Sequence, residues 1–379
     1  MDIYSHRILY MDIHTHNYKV IILPPNLRPG FFDFDPVFKN IYWTDFRYYT
    51  ILKTSLDDGK TTEFLRLPQY TSVKALAVDP LSRLLFIAEQ KHGIRVVSLN
   101  TMKIAHVLTN NSRPTDIELD LIKRKLYWCD NSNKIEVADY DGSNRRIILS
   151  NITCYDEIAL DTSRNVIYWP NRFAGRIERV NFDGSNRQNI TVANGTIIFK
   201  MEVDGVMLYY TDYRASSVMA VPVSGGFPHQ IGKDGFGNFL AIKRNKEDYS
   251  NTDANNGCLL NNGGCEHICV PLSTKNSRTC FCTDGYNSSA NGSCIGYPLK
   301  VRLSGANNTN EGRVEVTIDN GATWGTVCIN GFGVDEANVI CKMLGMASDR
   351  SVPQSSFKPA SSSQHLIISG LNCGGNESA

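Results

Sequence analysis

The chain has 379 residues, 39 basic against 38 acidic, for a formal charge of +1. That balance leaves no global field to draw nucleic acid or an anionic membrane, and no apolar run reaches the about 18 residues of a membrane-spanning helix. The length predicts two or three domains.

From the N-terminus the chain repeats itself. Tetrapeptides of one type occur at Tyr42-Trp43-Thr44-Asp45, Phe86-Ile87-Ala88-Glu89, Tyr127-Trp128-Cys129-Asp130, Tyr168-Trp169-Pro170-Asn171 and Tyr209-Tyr210-Thr211-Asp212, their last residues 44, 41, 41 and 41 apart. Asp120–Leu149 and Asp161–Ile190 keep one order: an Asp after an apolar pair, the aromatic tetrapeptide, an Ile-led run and an Asp-Gly turn. This reads as four short strands joined by tight turns, a unit that must stack on its neighbours to bury both faces. Ile8–Ile22 aligns without a gap on Ile135–Leu149, which puts Asp2 at the end of another tetrapeptide. Six units predict a mainly β, six-bladed propeller over residues 1–246, truncated at its N-terminus. Phe239–Lys243 would supply the innermost strand of the opening blade and close the ring. The aromatic residues read as packing between blades. The Asp ending each tetrapeptide reads as an acceptor of backbone hydrogen bonds, because a half-buried carboxylate needs partners.

These repeats resemble the YWTD, or class B, repeats of the low-density lipoprotein receptor family. Phe86–Glu89 and Pro170-Asn171 depart from the pattern. Propellers of that family use one rim for ligands. On that rim lie the residues before each first strand and after each tetrapeptide: Arg28, Phe46, Arg47, Tyr49, Lys74, Lys91, Arg113, Arg172, Phe173, Tyr213 and Arg214, with the acids Asp116, Asp156 and Glu157. Loop tips are commonly polar, but cations mixed with aromatics are enriched at interaction hot spots. They imply an acidic or carboxylate-bearing extracellular protein ligand.

Catalysis finds little support. The innermost strands offer mainly apolar pairs (Leu76-Ala77, Ile117-Glu118, Ile158-Ala159, Leu240-Ala241), and no Ser/His/Asp set, phosphate-binding glycine loop or metalloprotease helix occurs. His14 and His16 fall at a hairpin turn. A lactonase-type hydrolase on the propeller is a remote alternative. Cys129 and Cys154 would lie near one rim, either as a disulfide or as two buried thiols.

Residues 247–257 read as a linker. Six cysteines follow within residues 258–294, and spacing alone does not fix their pairing. A zinc site would need paired Cys-x-x-Cys knuckles, which are absent. NNGGCEHICV and CFCTDGY resemble an epidermal-growth-factor-like module, which implies Cys258–Cys269, Cys265–Cys280 and Cys282–Cys294. Asn255-Asn256-Gly257 stand where the calcium-binding variant carries acids, so no calcium is expected.

From Leu299, VRLSGANNTNEGRVEV, WGTVCINGFGVDEANVICKMLG and LNCGGNES resemble a scavenger receptor cysteine-rich domain over residues 299–379, truncated at its C-terminus. The resemblance implies a small α+β fold with one helix over Asp335–Met343, facing Val339, Ile340 and Met343 inward, and partners for Cys328, Cys341 and Cys373 beyond Ala379. Ile329-Asn330 replace the acids of that family's cation site and only Glu377 is kept, so no metal or other cofactor is expected.

Clustered cysteines suit an oxidising compartment. Eight Asn-x-Ser/Thr sequons agree with it: Asn110, Asn151, Asn189, Asn194, Asn287, Asn291, Asn307 and Asn376. Met1 falls inside a repeat and Ala379 inside a domain, as in a fragment. Any membrane association would come from segments absent from this chain. The whole implies a non-enzymatic ectodomain fragment at the plasma membrane, of an endocytic or Wnt co-receptor type. A secreted, nidogen-like matrix glycoprotein is the alternative.

Overall fold

The computed structural model describes residues 7–11, 18–68, 71–109, 112–154, 157–171, 174–191, 196–212, 217–231, 256–296, 299–306, 310–317, 321–327, 332–346 and 366–368. Alternating apolar and polar residues with tight turns between them produce strands throughout the first part. β1 (Arg7–Met11) and β2 (Tyr18–Ile22) form an antiparallel pair. Five four-stranded antiparallel blades follow. The first holds β3 (Pro29–Asp35), β4 (Asn40–Asp45), β5 (Thr50–Ser55) and β6 (Thr61–Arg66). The second holds β7 (Val73–Asp79), β8 (Leu84–Glu89), β9 (Gly93–Ser98) and β10 (Ile104–Leu108). The third holds β11 (Pro114–Asp120), β12 (Lys125–Asp130), β13 (Lys134–Asp139) and β14 (Arg146–Ser150). The fourth holds β15 (Ala159–Asp161), β16 (Val166–Asn171), β17 (Arg176–Asn181) and β18 (Gln188–Thr191). The fifth holds β19 (Ile198–Val203), β20 (Met207–Asp212), β21 (Ser217–Pro222) and β22 (His229–Ile231).

The fold is a mainly β propeller. Both departures from the tetrapeptide pattern still form second strands, because each remains a short apolar run bounded by turns: β8 is buried along its whole length, and β16 up to Pro170. β1 and β2 occupy the third and outer positions of a further blade. Its expected closing strand, Phe239–Lys243, lies outside the described residues, as do His14 and His16.

Blades are joined by the aromatic residues of the tetrapeptides. Trp43, Trp128 and Trp169 are fully buried, and so are Phe86 and Tyr168. Phe86 packs across the junction between the second and third blades onto Tyr140, with ring centroids 4.8 Å apart. Glycine governs how closely blades approach. Gly142 has φ of +83°, and a Cβ there would meet Val107 O of the preceding blade at 2.7 Å. Cys129 and Cys154 are buried and bridged, with Cα atoms 5.7 Å apart.

The chain folds into two compact units, Met1–Asp284 with Ser288–Ser293, and Gly285–Asn287 with Cys294–Ala379. Most of the cysteine-rich module therefore belongs with the propeller. Its hairpin, β23 (Ile268–Pro271) and β24 (Arg278–Phe281), is stapled by Cys258–Cys269 and Cys265–Cys280. Cys282 and Cys294 are also disulfide-bonded. Ile268 and Val270 are fully buried in one apolar cluster with Phe86, Val96, Ala105 and Tyr140 of the second and third blades. Polar bonds frame that contact. Arg124 Nη1 donates to Leu272 O at 3.0 Å, and Thr279 Oγ1 donates to Asp141 Oδ2 at 2.7 Å. Asn256 Nδ2 reaches Ser82 Oγ at 3.4 Å, and His106 Nε2 lies 3.8 Å from Asp284. Two short strands, β25 (Tyr286–Ser288) and β26 (Cys294–Gly296), pair at the C-terminal end of the module.

The second unit carries a four-stranded sheet of β27 (Lys300–Ser304), β28 (Arg313–Thr317), β29 (Gly325–Val327) and β30 (Leu366–Ile368), and the helix α1 (Val334–Met343). Glu336 caps α1 by accepting the Gly333 N–H at 2.7 Å. Ile340 and Ala337 are its buried apolar residues, while Val339 and Met343 are half-buried. Arg302 and Arg313 clamp the buried Glu315. Cys341 is a free thiol, and Cys328 and Cys373 lie outside the described residues. Among the described residues, no helix is long and apolar enough to cross a membrane.

Candidate protein-binding rim

In an antiparallel meander, the turn between second and third strands lies on the same rim as the connection to the next blade. The tetrapeptide Asp builds that rim. Asp45 Oδ1 accepts the Arg47 N–H at 2.7 Å and the Arg28 N–H at 3.3 Å, so one carboxylate pins the loops on both sides of the strand pair. In the third blade Asp130 accepts the Arg113 N–H at 2.7 Å and the Ser132 N–H at 2.9 Å. Burial opposes ionisation of Asp130, but the bonds from Ser132 and Arg113 outweigh it and hold its carboxyl below the usual range. In the second blade Glu89 replaces the Asp and turns to the buried Arg95. Loop pinning there falls to the backbone bond from Gln90 N to Ser72 O, 3.1 Å.

Arg28, Phe46, Arg47, Lys91 and Arg113 are exposed on this rim, while Tyr49 and Lys74 are half-buried. Arg172, Phe173, Tyr213, Arg214 and Asp156 lie outside the described residues. Phe46 stands edge-on to Phe31, with centroids 5.8 Å apart and planes at 87°. Gly30 is obligatory beneath it, because a Cβ there would meet Phe46 Cζ at 2.3 Å.

Two expectations need correction. Asp116 and Glu157 are not rim acids but are buried in the throat of the channel, 3% and 6% exposed. The innermost strands do not present mainly apolar pairs either. Asp33, Glu118 and Glu202 join those two carboxylates in lining the throat, with Phe31, Ala75 and Lys200 among their neighbours. The acids stitch blades together. Asp33 accepts the Val78 N–H at 2.7 Å, Asp116 the Ile158 N–H at 2.9 Å, and Glu157 the Met201 N–H at 2.8 Å. Lys200 forms ion pairs with Glu157 and, at 3.9 Å, Asp116, and its ammonium lies 5.8 Å from the Phe31 ring. The signal was periodic: these residues stand two or four positions before the Asp closing each first strand. The apolar residues between them point between the blades, so reading adjacent pairs hid the alternation.

Residues 124–171 match the low-density lipoprotein receptor repeat class B, and residues 304–379 match the scavenger receptor cysteine-rich domain. The matched segment runs from the third blade into the fourth, so these blades resemble low-density lipoprotein receptor class B repeats. A vitellogenin receptor of Solenopsis invicta is 24% identical over 75% of this chain and 16% of its own length. The human low-density lipoprotein receptor-related protein 5 is 28% identical over 66% and 16%. The chain thus spans about a sixth of the length of either relative. A nidogen/laminin complex contains a structure 26% identical to it, with a TM-score of 0.52, covering 58% of this chain and 87% of that one. The matched segment contains the tetrapeptides Tyr127–Asp130 and Tyr168–Asn171.

Proposed function

We propose that this chain is a ligand-binding part of a receptor related to the low-density lipoprotein receptor family, working outside the cell, and that it takes a protein ligand on the pinned rim. The observation that carries the reading is the exposed set Arg28, Phe46, Arg47, Lys91 and Arg113, held on loops that buried carboxylates fix in place. Aromatic anchors among cations suit a ligand surface with carboxylates, bound in a salt-sensitive way. The cysteine-rich module supports it, because its polar bonds among the described residues reach turns of the opposite rim, at Ser82, Arg124 and Asp141. A small-molecule enzyme fits less well. The throat offers only about 10 Å³ of free space, room for about one water, against about 300–1,000 Å³ for a small-molecule site. Both relatives are receptors, whereas the nidogen likeness favours the second reading, a matrix glycoprotein.

Purified vitellogenin and laminin serve as probes for the two readings. The chain is immobilised and titrated with each at low and high salt, alongside the Arg47→Glu/Arg113→Glu variant. The expected result is saturable, salt-sensitive binding of one probe that the variant loses. Binding that the variant retains in full would mean that the rim is not the site.

A further inference from the structure

The outer strands of the propeller differ in how their free edges are protected. Unpaired edges invite pairing with another chain, and proteins blunt them with bulges, charges or short length. The register breaks in the pairings of β6, β10 and β14 with their neighbours. β18 carries the sequon at Asn189, and β22 is three residues long. β2 carries a single charge, Lys19, and has neither a bulge nor a sequon. It pairs with β1 without a break over five residues, and its outer edge has no partner among the described residues. Its sequence is Tyr-Lys-Val-Ile-Ile, with Val20 44% and Ile22 77% exposed.

The junction beside β2 is also open. Gly142 and Gly184 each bring an Asp-Gly turn so close to the preceding outer strand that a Cβ would meet its carbonyl oxygen at 2.7–2.8 Å. At the equivalent Gly59 only Ile21 Cγ2 comes near, at 3.6 Å, and a groove of about 460 Å³ remains along β2. Exposed Lys19 lies near one end of the strand, and the exposed Asp57, which Lys39 already pairs at 3.0 Å, and Asp58 line the groove beside Ile21.

We propose that β2 is the interface with a second copy of this chain, the two strands pairing antiparallel about a two-fold axis at Val20. The charge pattern selects this occupant. In that register Lys19 of each copy lies opposite Ile21 of the other, and therefore beside its Asp57 and Asp58. A two-fold contact is isologous, so the same complementarity acts twice. Val20 and Ile22 of both copies then share one apolar strip, and the edge amides and carbonyls gain partners. A parallel pairing would set Lys19 against Lys19.

Sedimentation velocity on the whole chain tests this. The parent should dimerise with a dissociation constant at or below about 100 µM. Ile22→Lys should weaken association about tenfold or more without lowering the melting temperature, since that side chain touches little in the monomer. Lys19→Asp should weaken it too, and Lys19→Asp with Asp58→Lys should restore it. A monomeric parent at about 100 µM overturns the proposal, as does a dimer indifferent to Ile22→Lys. Failure of the double variant to recover what Lys19→Asp loses overturns the antiparallel pairing.

Discussion

Ile268→Ala should release the cysteine-rich module from the propeller. Ile268 is fully buried, and it shares its cluster with Phe86, Val96 and Ala105, so its side chain serves the dock as well as the module. Losing three carbons there removes about 0.8 kcal/mol of transfer energy for each, and the residual cavity raises the total to about 2–5 kcal/mol. The framing bonds from Arg124 and Thr279 each involve a charged group and contribute about 1.5–3 kcal/mol, but the parent makes them too, so they do not replace what Ile268 loses. A loss of 2–5 kcal/mol shifts the docked-to-undocked ratio by about 30-fold or more. Hydrogen exchange reads this directly: amides of β9 and β10, together with β23, should exchange faster, while β16 and β17 stay unchanged. Thr279→Val provides a control, with a smaller effect in the same segments. If Ile268→Ala loosens only β23 and β24 and leaves the second blade as protected as before, the dock does not rest on this residue.

Gly142→Ala should destabilise the junction between the second and third blades by about 1–3 kcal/mol, through its positive φ and the encounter with Val107 O, and thermal melting would detect it. Asp130→Asn should lower stability near neutral pH. A carboxylate held below its ordinary value stabilises above about pH 3.9 and loses that contribution as pH falls through its folded value, so the melting temperatures of parent and variant should converge below about pH 4. Asn151, Asn189, Asn287 and Asn291 are exposed, so glycosidase treatment of chain from a secretory host should shift its mass, and Asn→Gln at each should remove one step.

The repeat was legible because its spacing and alternation are local properties. A period of 41–44 residues, aromatic pairs and Asp-Gly turns dictate strand after strand, and half-buried strands must stack. Short apolar runs between turns produce β8 and β16 as well, although Glu89 and Asn171 replace the tetrapeptide Asp. The use of the tetrapeptide Asp as a backbone acceptor was legible too, for a carboxylate at a buried strand end has few other partners.

The throat was not legible. Which of two alternating faces turns to the channel depends on how blades pack around the axis, and the pairs Ile117-Glu118 and Ile158-Ala159 read apolar until that axis exists. Chain order alone therefore puts Asp116 and Glu157 on the rim, whereas in the fold each accepts a backbone N–H of the next blade. The docking of the module onto the second and third blades was equally hidden. Ile268 and Val270 look like the core of a small disulfide-stapled domain, and nothing local distinguishes burial within a module from burial against a neighbour. Sequence by itself determined the repeating strands and turns, because these follow from contacts a few residues apart. Tertiary structure alone decided which carboxylates face the channel and which blades receive the cysteine-rich module, because those depend on surfaces that meet only after the blades have packed.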